Sequence, residues 1–253
     1  MNILLTNDDG VYSKGLAALA GEISKIADVT VVAPDRERSA TAHAITMHKP
    51  LRVEKVDFPI KNITAWKVNG TPSDCVKIAL EAMLNFTPDM VLSGINQGPN
   101  LGTDVIYSGT VSAAIEATIM GVPAIAFSVT AYENVEYNTA STLAGKLVPQ
   151  ILKVDFPDDV LLNINIPHVP EEKIEGIYIT HLGTRRYRNS FVKRKDPRGR
   201  SYYWLAGEVI ENQENIGSDV WAIKNNYVSI TPLKFDLTNY TIIEKLNKWN
   251  LKV

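Results

Sequence analysis

The chain has 253 residues and a net charge of −2, and 45% of its residues are hydrophobic and 21% charged. This is the composition of a globular protein with a buried core, and its near-neutral charge excludes a protein that coats nucleic acid with its whole surface. The single cysteine, Cys75, excludes an internal disulfide and is compatible with a reducing compartment. No signal peptide and no apolar run of membrane-spanning length is visible, so we expect a soluble, cytoplasmic protein.

Short apolar runs alternate with amphipathic segments in the first half of the chain, as is typical of β-α-β units and a parallel sheet. The predicted strands are residues 2–6, 29–33, 90–93 and 124–129. A first helix is predicted from apolar residues at helical spacing between residues 16 and 26. A second should begin with Thr71 as its N-cap, Pro72 in its first turn and Asp74 as the acid of the first turn. A third is predicted over residues 110–120.

The second half continues this pattern and then changes character. A helix is predicted at residues 139–152 and strands at residues 161–166 and 176–181. Past Gly183, a basic and aromatic stretch leads through residues 201–210 to apolar segments at 219–223 and 227–231, and to a last helix at 241–248. No Gly/Ser-rich linker separates two halves, so we interpret the chain as one α/β domain with a hairpin-like arm that returns to the core.

Two adjacent acids, Asp8 and Asp9, directly follow the first predicted strand and its Asn7, and the nearest basic residue along the chain is Lys14. Neighbouring carboxylates repel each other, which raises a pKa unless a cation lies between them. Hard carboxylate oxygens of this kind suit Mg²⁺ or Mn²⁺. The same residue types also favour a plain turn with an N-cap, so the pair alone leaves both interpretations open.

Other predicted strands also end in polar loops, and ligands of open parallel sheets bind beyond the carboxyl ends of the strands. The loop after the second strand carries Ser39, and the glycine-rich loop after residues 90–93 carries Asn96; both can give an oxygen to a hard metal ion. The segment Ser108-Gly109-Thr110 opens a helix, whose free N–H groups and dipole attract anions, although plain N-capping explains these residues as well. The combination indicates phosphate chemistry assisted by a cation.

Five motifs, in matching order and spacing over about residues 1–130, resemble the signatures of the SurE family. They are TNDDG at 6–10, APDRERSA at 33–40, NGTPSDCV at 69–76, SGINQGPN at 93–100 and YSGTVSA at 107–113. Ser73 stands where the family commonly has alanine, and Ala42 where it often has glycine, which concerns packing more than chemistry. The C-terminal part resembles the family only in its general layout.

The resemblance implies a Rossmann-like, three-layer α/β/α fold with a mostly parallel sheet. Residues 1–182 would form the phosphatase core, and residues 183–253 an extension whose basic hairpin arm serves in assembly of a homodimer or homotetramer and then returns to the core. The implied activity is divalent-metal-dependent hydrolysis of nucleoside 5′-monophosphates, with 3′-monophosphates and short polyphosphate left open.

By position, the resemblance assigns one divalent metal ion to Asp8, Asp9, Ser39 and Asn96: Mg²⁺ or Mn²⁺, with Co²⁺ and Ca²⁺ as alternatives. Asp8 and Asp9 are therefore the predicted catalytic residues. Asp8 is the better candidate to take a proton from the attacking water or to attack phosphorus directly, two routes that stay open. The phosphate is expected to contact Asn96, Ser108, Gly109 and Thr110. His43 is a candidate for protonating the leaving group, although an uninvolved loop histidine is the more frequent case.

Three other classes of phosphate- or nucleotide-binding protein each lack a required residue here. A signalling receiver domain needs an acceptor aspartate just after its third strand, where Ser93 and Gly94 stand. A haloacid-dehalogenase-type phosphatase needs Asp-x-Asp, and the first of these positions is Asn7. A dinucleotide-binding enzyme needs a Gly-x-Gly-x-x-Gly turn after the first strand, and neither that turn nor a P-loop is present.

A basic segment, residues 184–200, holds eight basic residues and one acid, so it carries +7 and the rest of the chain −9. Its arginines, interleaved with Tyr187 and Phe191, would suit phosphate contact and base stacking on a nucleic acid. A solvated basic hairpin, or an arm that pairs with an acidic partner subunit, is the simpler interpretation. We therefore do not expect a nucleic acid partner, and we expect Tyr202, Tyr203 and Trp204 at a subunit interface.

Overall fold

A computed structural model describes residues 1–154, 156–188, 191–211, 215–249 and 251. Its strands are β1 (Asn2–Thr6), β2 (Asp28–Pro34), β3 (Val53–Val56), β4 (Thr64–Val68), β5 (Met90–Gln97), β6 (Ala124–Val129), β7 (Val160–Ile166), β8 (Gly176–Ile179), β9 (Arg185–Arg188), β10 (Phe191–Lys195), β11 (Ser201–Leu205), β12 (Glu208–Glu211) and β13 (Tyr227–Lys234). Nine of them form one sheet in the order β3-β4-β2-β1-β5-β6-β7-β13-β8. The six adjacent strands β4, β2, β1, β5, β6 and β7 run parallel to one another. β3 is antiparallel to β4, and β13 is antiparallel to β7.

Helices α1 (Lys14–Ile23), α2 (Pro72–Ile78), α3 (Gly109–Ile119), α4 (Asn138–Ile151) and α5 (Asp219–Lys224) pack on the two faces of this sheet. The last helix, α6 (Tyr240–Asn247), has no buried residue. Side chains of a strand alternate between faces, so Ile3 and Leu5 of β1 pack in the core beneath α1 and α4, while Leu4 packs in the core beneath α2 and α3. The expected three-layer α/β/α fold with a mostly parallel sheet is confirmed.

Side-chain caps fix where the helices nearest the site begin. Ser13 accepts the N–H of Leu16 ahead of α1, and Ser108 accepts the N–H of Val111 ahead of α3. Ahead of α2, Thr71 and Asp74 form a reciprocal capping box with Pro72 in the first turn, as the sequence predicts. Each such cap stabilises its helix by about 1 kcal/mol, so the helix starts that surround the site are locally specified.

The chain changes direction in the sheet at β1. From β1 it proceeds to β2 and β4 on one side, and it then crosses to β5, β6 and β7 on the other side. The crevice beyond the carboxyl ends of β1 and β5 is therefore the topological switch point, where ligands of open α/β sheets bind. Asp8 and Asp9 follow β1 directly at this edge.

Strand β5 is longer than predicted and reaches Gln97, so Asn96 lies in the strand rather than in the loop after it. Its register against β6 shifts between Ser93 and Asn96, which lets the strand continue past Gly94. A side chain at Gly94 would have its Cβ 2.4 Å from the carbonyl oxygen of Phe127. The sequence predicts that Gly94 begins a loop. In the structure Gly94 lies within β5, and its missing side chain lets the backbone of β5 approach that of β6 closely.

The sequence does not predict strands β3 and β4. β3 is the edge strand and has no buried residue, and β4 beside it buries only Ala65 and Val68, so neither shows the apolar run typical of a central parallel strand.

The C-terminal part contains the expected hairpin and the return to the core. Strands β10 and β11 pair antiparallel as a separate ribbon, β9 pairs with β12, and β13 then inserts between β7 and β8 of the main sheet. The division of the chain at residue 182 stays a prediction. None of the helices within the described ranges is long and apolar enough to cross a lipid bilayer.

Candidate functional site

Asp8 is buried against the first turn of α3, with 4% of its surface exposed. The hydroxyl of Thr110 donates to its Oδ1 at 2.6 Å, and the backbone N–H of Thr110 also bonds to it. Gly109 lies so close that a Cβ there would be 2.8 Å from the Cβ of Asp8 and 2.9 Å from its Oδ2. Burial raises the pKa of Asp8, and the hydrogen bonds from Thr110 oppose this rise. The anion at the N-terminus of α3 is thus the carboxylate of Asp8 itself.

Asp9 is half-buried beside Asp8, and its Oδ2 accepts the backbone N–H of Gln97 at 3.4 Å. Burial and the negative charge of Asp8 raise the pKa of Asp9 to about 7. Within the described ranges neither carboxylate has a cationic side chain as an ion-pair partner. The end of β1 therefore carries two acids whose charges are not neutralised by the protein.

Asn7 holds the turn that presents these acids. Its side-chain amide donates to the carbonyl of Gly10 at 3.1 Å and to the hydroxyl of Ser13 at 2.7 Å, and its Oδ1 accepts the N–H of Gly10. The residue at the position that a dehalogenase-type nucleophile would occupy is thus a fully buried turn-former.

Ser39 reaches this edge on the loop after β2. The preceding residue, Arg38, donates its N–H to the backbone carbonyl of Asp8 at 2.7 Å, which ties the loop to the acids. The hydroxyl of Ser39 donates to Oε1 of Glu37 at 2.7 Å, so its lone pairs remain available to a cation. Glu37 also contributes to raising the pKa of both Asp8 and Asp9. Sequence reasoning did not single out Glu37, and its only signal was its place in the charged loop before Ser39.

Asn96 comes to the same edge from β5, next to the Gln97 that binds Asp9. Its side-chain nitrogen donates to the carbonyl of Gly98 at 2.8 Å and, less closely, to that of Gln97. The amide oxygen is the atom left to face a ligand. The four residues proposed from sequence as metal ligands therefore come from three adjacent strand ends. Two of the four proposed donors, Ser39 and Asn96, are neutral oxygens, and the described residues contain no cluster of three or more His, Cys, Asp or Glu side chains placed to hold a metal ion.

The hydroxyls of the α3 start are already engaged in the protein. Ser108 is buried and accepts the N–H of Val111 at 3.0 Å, and Thr110 bonds to Asp8. The structure brings Ser108, Gly109 and Thr110 to Asp8, but it shows these hydroxyls in capping and positioning contacts. Their expected phosphate contact stays a prediction that depends on backbone N–H groups.

His43 anchors the loop that follows Ser39. Its Nε2 donates to Oε2 of Glu116 at 2.7 Å, and the ammonium of Lys77 lies 3.4 Å from the other oxygen of this buried carboxylate on α3. The same loop is held by Thr46, whose N–H donates to Asp74 at 2.9 Å, and by Ala44, whose carbonyl accepts the hydroxyl of Thr71 at 2.7 Å. In this structure His43 is thus engaged in an anchoring contact, and its role as an acid for the leaving group stays untested.

Replacing His43 with alanine is expected to lower the free energy of unfolding at pH 7 by about 1–2 kcal/mol, because the buried carboxylate of Glu116 loses the hydrogen bond that His43 donates. The hydrogen bond from His43 lowers the pKa of Glu116 below its ordinary value of 4.5. The stabilisation is therefore present above that value and is lost as the pH falls through the lowered pKa. Urea unfolding of both proteins at pH 7 and near pH 3.5 measures it.

His48→Ala, at an exposed position of the same loop, is the matched control and should leave stability unchanged at both pH values. A His43→Ala deficit that stays constant from pH 7 down through the pKa of Glu116 would contradict the interpretation that His43 stabilises the ionised carboxylate of Glu116.

Part of the basic segment is neutralised within the chain. Arg185 is buried and pairs with Asp104 at 2.7 Å, and the hydroxyl of Tyr187 donates to the same carboxylate at 2.6 Å. Arg188 pairs with Glu208 at 3.2 Å. These contacts reduce the charge available to a nucleic acid and agree with a structural role for β9.

Comparison with known proteins gives a consistent result over the whole chain. The family described as “Survival protein SurE” matches residues 3–189. A “5′-nucleotidase SurE” of Carboxydothermus hydrogenoformans is 54% identical, over 98% of this chain and 96% of that protein, and one of Heliobacterium modesticaldum is 52% identical, over 98% and 92%. The crystal structure of the SurE protein from Aquifex aeolicus superposes with a TM-score of 0.87 at 41% identity, covering 98% of this chain and 99% of that one. The chain belongs to the SurE family.

Proposed function

We propose that this protein is a 5′-nucleotidase, a hydrolase that removes phosphate from nucleoside 5′-monophosphates with the help of one divalent metal ion. The observation that carries the proposal is the Asp8–Asp9 pair at the switch point of the sheet, with Asp8 held by the first turn of α3. The relatives that carry the name 5′-nucleotidase support the same activity.

The donor set fits a hard divalent cation. Two neighbouring carboxylates lack a cationic partner in the described part of the chain, and the raised pKa of Asp9 reflects its burial and, after that, the repulsion between the two charges. Asp8, Asp9, Ser39 and Asn96 would hold the ion through oxygen atoms alone, which suits Mg²⁺ or Mn²⁺, with Co²⁺ and Ca²⁺ as alternatives. When bound, the ion supplies neutralisation of the charge that develops on the phosphate oxygens.

The protein's own residues position the reaction around Asp8. Thr110 fixes one carboxylate oxygen of Asp8 by its hydroxyl, and the lack of a side chain at Gly109 leaves room for the other. Asp8 then takes the proton from the attacking water, with direct attack by Asp8 on phosphorus as the alternative. The N–H groups at the Ser108–Thr110 helix start contact the phosphate. Asn96 would lie beside the phosphate with its amide oxygen on the ion, because its amide nitrogen donates to the carbonyls of Gly98 and Gln97.

The arm serves in assembly of a homodimer or homotetramer. Large apolar side chains of the β10–β11 ribbon are more than half exposed in the single chain, among them Phe191, Tyr203, Trp204 and Leu205. Exposed aromatic residues of this kind are enriched where subunits meet.

Removal and return of the metal test the proposal. EDTA treatment is expected to abolish hydrolysis of 5′-AMP and of p-nitrophenyl phosphate, and Mg²⁺ or Mn²⁺ should restore both. Binding of the ion alone should also raise the Tm, because a ligand that binds only the folded state stabilises it. The same assay with 3′-AMP and with tripolyphosphate as substrates determines the substrate range. Hydrolysis of 5′-AMP at full rate in EDTA would refute the metal assignment.

A further inference from the structure

A cavity of about 530 Å³ lies beside Asp9, and Asp9 forms part of its wall. The wall continues over Tyr12 and Lys14 at the start of α1, Gln97 at the end of β5, and Tyr137 ahead of α4. Its volume is in the range of small-molecule binding sites, about 300–1,000 Å³. A second described cavity, of about 400 Å³ around His168, has none of the four proposed metal ligands in its wall. A leaving group attached to phosphate at Asp8 and Asp9 is therefore expected in the first cavity.

The groups in this wall are suited to an uncharged aromatic ligand that carries hydroxyls. Tyr12 is 63% exposed, although its neighbour Val11 is buried, so its ring forms wall surface rather than core. The side-chain nitrogen of Gln97 donates to the carbonyl of Tyr132 at 2.5 Å, and its amide oxygen accepts no hydrogen bond from the described residues. Lys14 has no ion-pair partner in the same part of the chain. A stacking face, an acceptor and a donor thus surround one space.

The charge of the wall favours a nucleoside over a polyphosphate as the leaving group. With Asp9 occupied by the proposed metal ion, the charged groups left in this wall are Glu37 and Lys14, so the wall offers no net positive charge to a chain of phosphates. An uncharged nucleoside needs none.

We propose that this cavity is the nucleoside subsite of the enzyme, with the base stacked on Tyr12; this rests on the nucleotidase function proposed above. The aromatic face of Tyr12 then determines the preference for nucleoside monophosphates over phosphate esters that lack a base. Stacking of a base on an aromatic side chain is sequence-tolerant, so we expect little discrimination between adenine and the other bases through this contact.

The test compares 5′-AMP with ribose 5-phosphate, which has the same phosphate and sugar but no base. Tyr12→Ala is expected to raise the KM for 5′-AMP about tenfold, the equivalent of about 1.4 kcal/mol of lost stacking, and to change the KM for ribose 5-phosphate less than about twofold. Tyr12→Phe should keep the wild-type KM for both, because it retains the ring. Tyr240→Ala, which removes an exposed tyrosine on α6, is the matched control.

Adenosine binding, measured by calorimetry without any phosphate ester, gives a readout that does not depend on hydrolysis. Wild-type protein that binds adenosine, and loses this binding in Tyr12→Ala, supports the subsite even if it hydrolyses neither ester, in which case the proposed function alone fails. Equal effects of Tyr12→Ala on the KM of both esters, or unchanged adenosine binding in this variant, overturn the subsite while leaving the nucleotidase function in place.

Discussion

Asp8→Asn is expected to abolish hydrolysis of nucleoside monophosphates, with a fall in kcat on the order of 10³-fold or more. The substitution removes one of the two charges that attract the metal ion, and it removes the group proposed to take the proton or attack phosphorus. Asp9 keeps the second charge, but its carboxylate is held by the N–H of Gln97 of β5, whereas Asp8 alone accepts the hydroxyl of Thr110 on α3. The loss should therefore appear in kcat for every substrate that the wild-type enzyme hydrolyses.

The fold should survive this change. Asparagine keeps an oxygen that can accept the hydrogen bond from the hydroxyl of Thr110. It also removes a negative charge that is costly to bury, because residue 8 is only 4% exposed. In metal-free buffer the Tm of Asp8→Asn should consequently equal or exceed that of the wild type. Adding Mg²⁺ or Mn²⁺ should raise the Tm of the wild type and leave that of the variant unchanged. Thermal unfolding with and without the ion thus separates loss of the site from loss of the structure.

Asp89→Asn is the matched control for charge removal near the same strand. Asp89 accepts the N–H of Asn2 at the opposite end of β1, far along the strand from the switch point. This variant should retain both activity and the metal-dependent rise in Tm. Wild-type kcat in Asp8→Asn would remove Asp8 from the catalytic machinery and with it the present account of the site.

The polar residues at the strand ends could be brought together from sequence because the geometry of a parallel sheet is general. Once residues 2–6 and 90–93 are identified as parallel strands, their carboxyl ends must share one edge, whatever the details of packing. Local signals were equally informative at helix starts: Thr71, Pro72 and Asp74 form the predicted cap because their interactions lie within one turn of helix.

Contacts between residues distant in sequence could not be predicted in the same way. The hydrogen bond between Thr110 and Asp8 joins positions 102 residues apart, and that between His43 and Glu116 joins positions 73 apart. The sequence indicated that the α3 start attracts an anion, but it could not say that the nearest anion is a side chain of the protein. The pKa of Asp9 likewise depends on its burial and on its distance from Asp8, and neither quantity can be derived from the sequence.

Gly109→Ala is expected to lower kcat about 100-fold while leaving the protein folded, because catalytic groups misplaced by about 1 Å lose roughly this much rate. A Cβ at residue 109 would lie 2.8 Å from the Cβ of Asp8 and 2.9 Å from its Oδ2, closer than real Cβ contacts, so Asp8 has to move. The backbone of α3 itself tolerates alanine, which has a higher helix propensity than glycine. The damage should therefore fall on the position of Asp8 and not on the helix.

Gly21→Ala in α1 is the control that separates these effects. A Cβ at residue 21 would have only the terminal methyl of Ile60 nearby, at 3.7 Å, which is an ordinary van der Waals contact. This variant should show wild-type kcat and equal or greater stability, by up to about 1 kcal/mol. Steady-state kinetics with 5′-AMP and thermal unfolding of both variants, with and without Mn²⁺, provide the measurements. Gly109→Ala should retain its metal-free Tm and show a reduced metal-dependent rise; wild-type kcat in this variant would mean that the close approach of α3 to Asp8 does not position the reactive carboxylate.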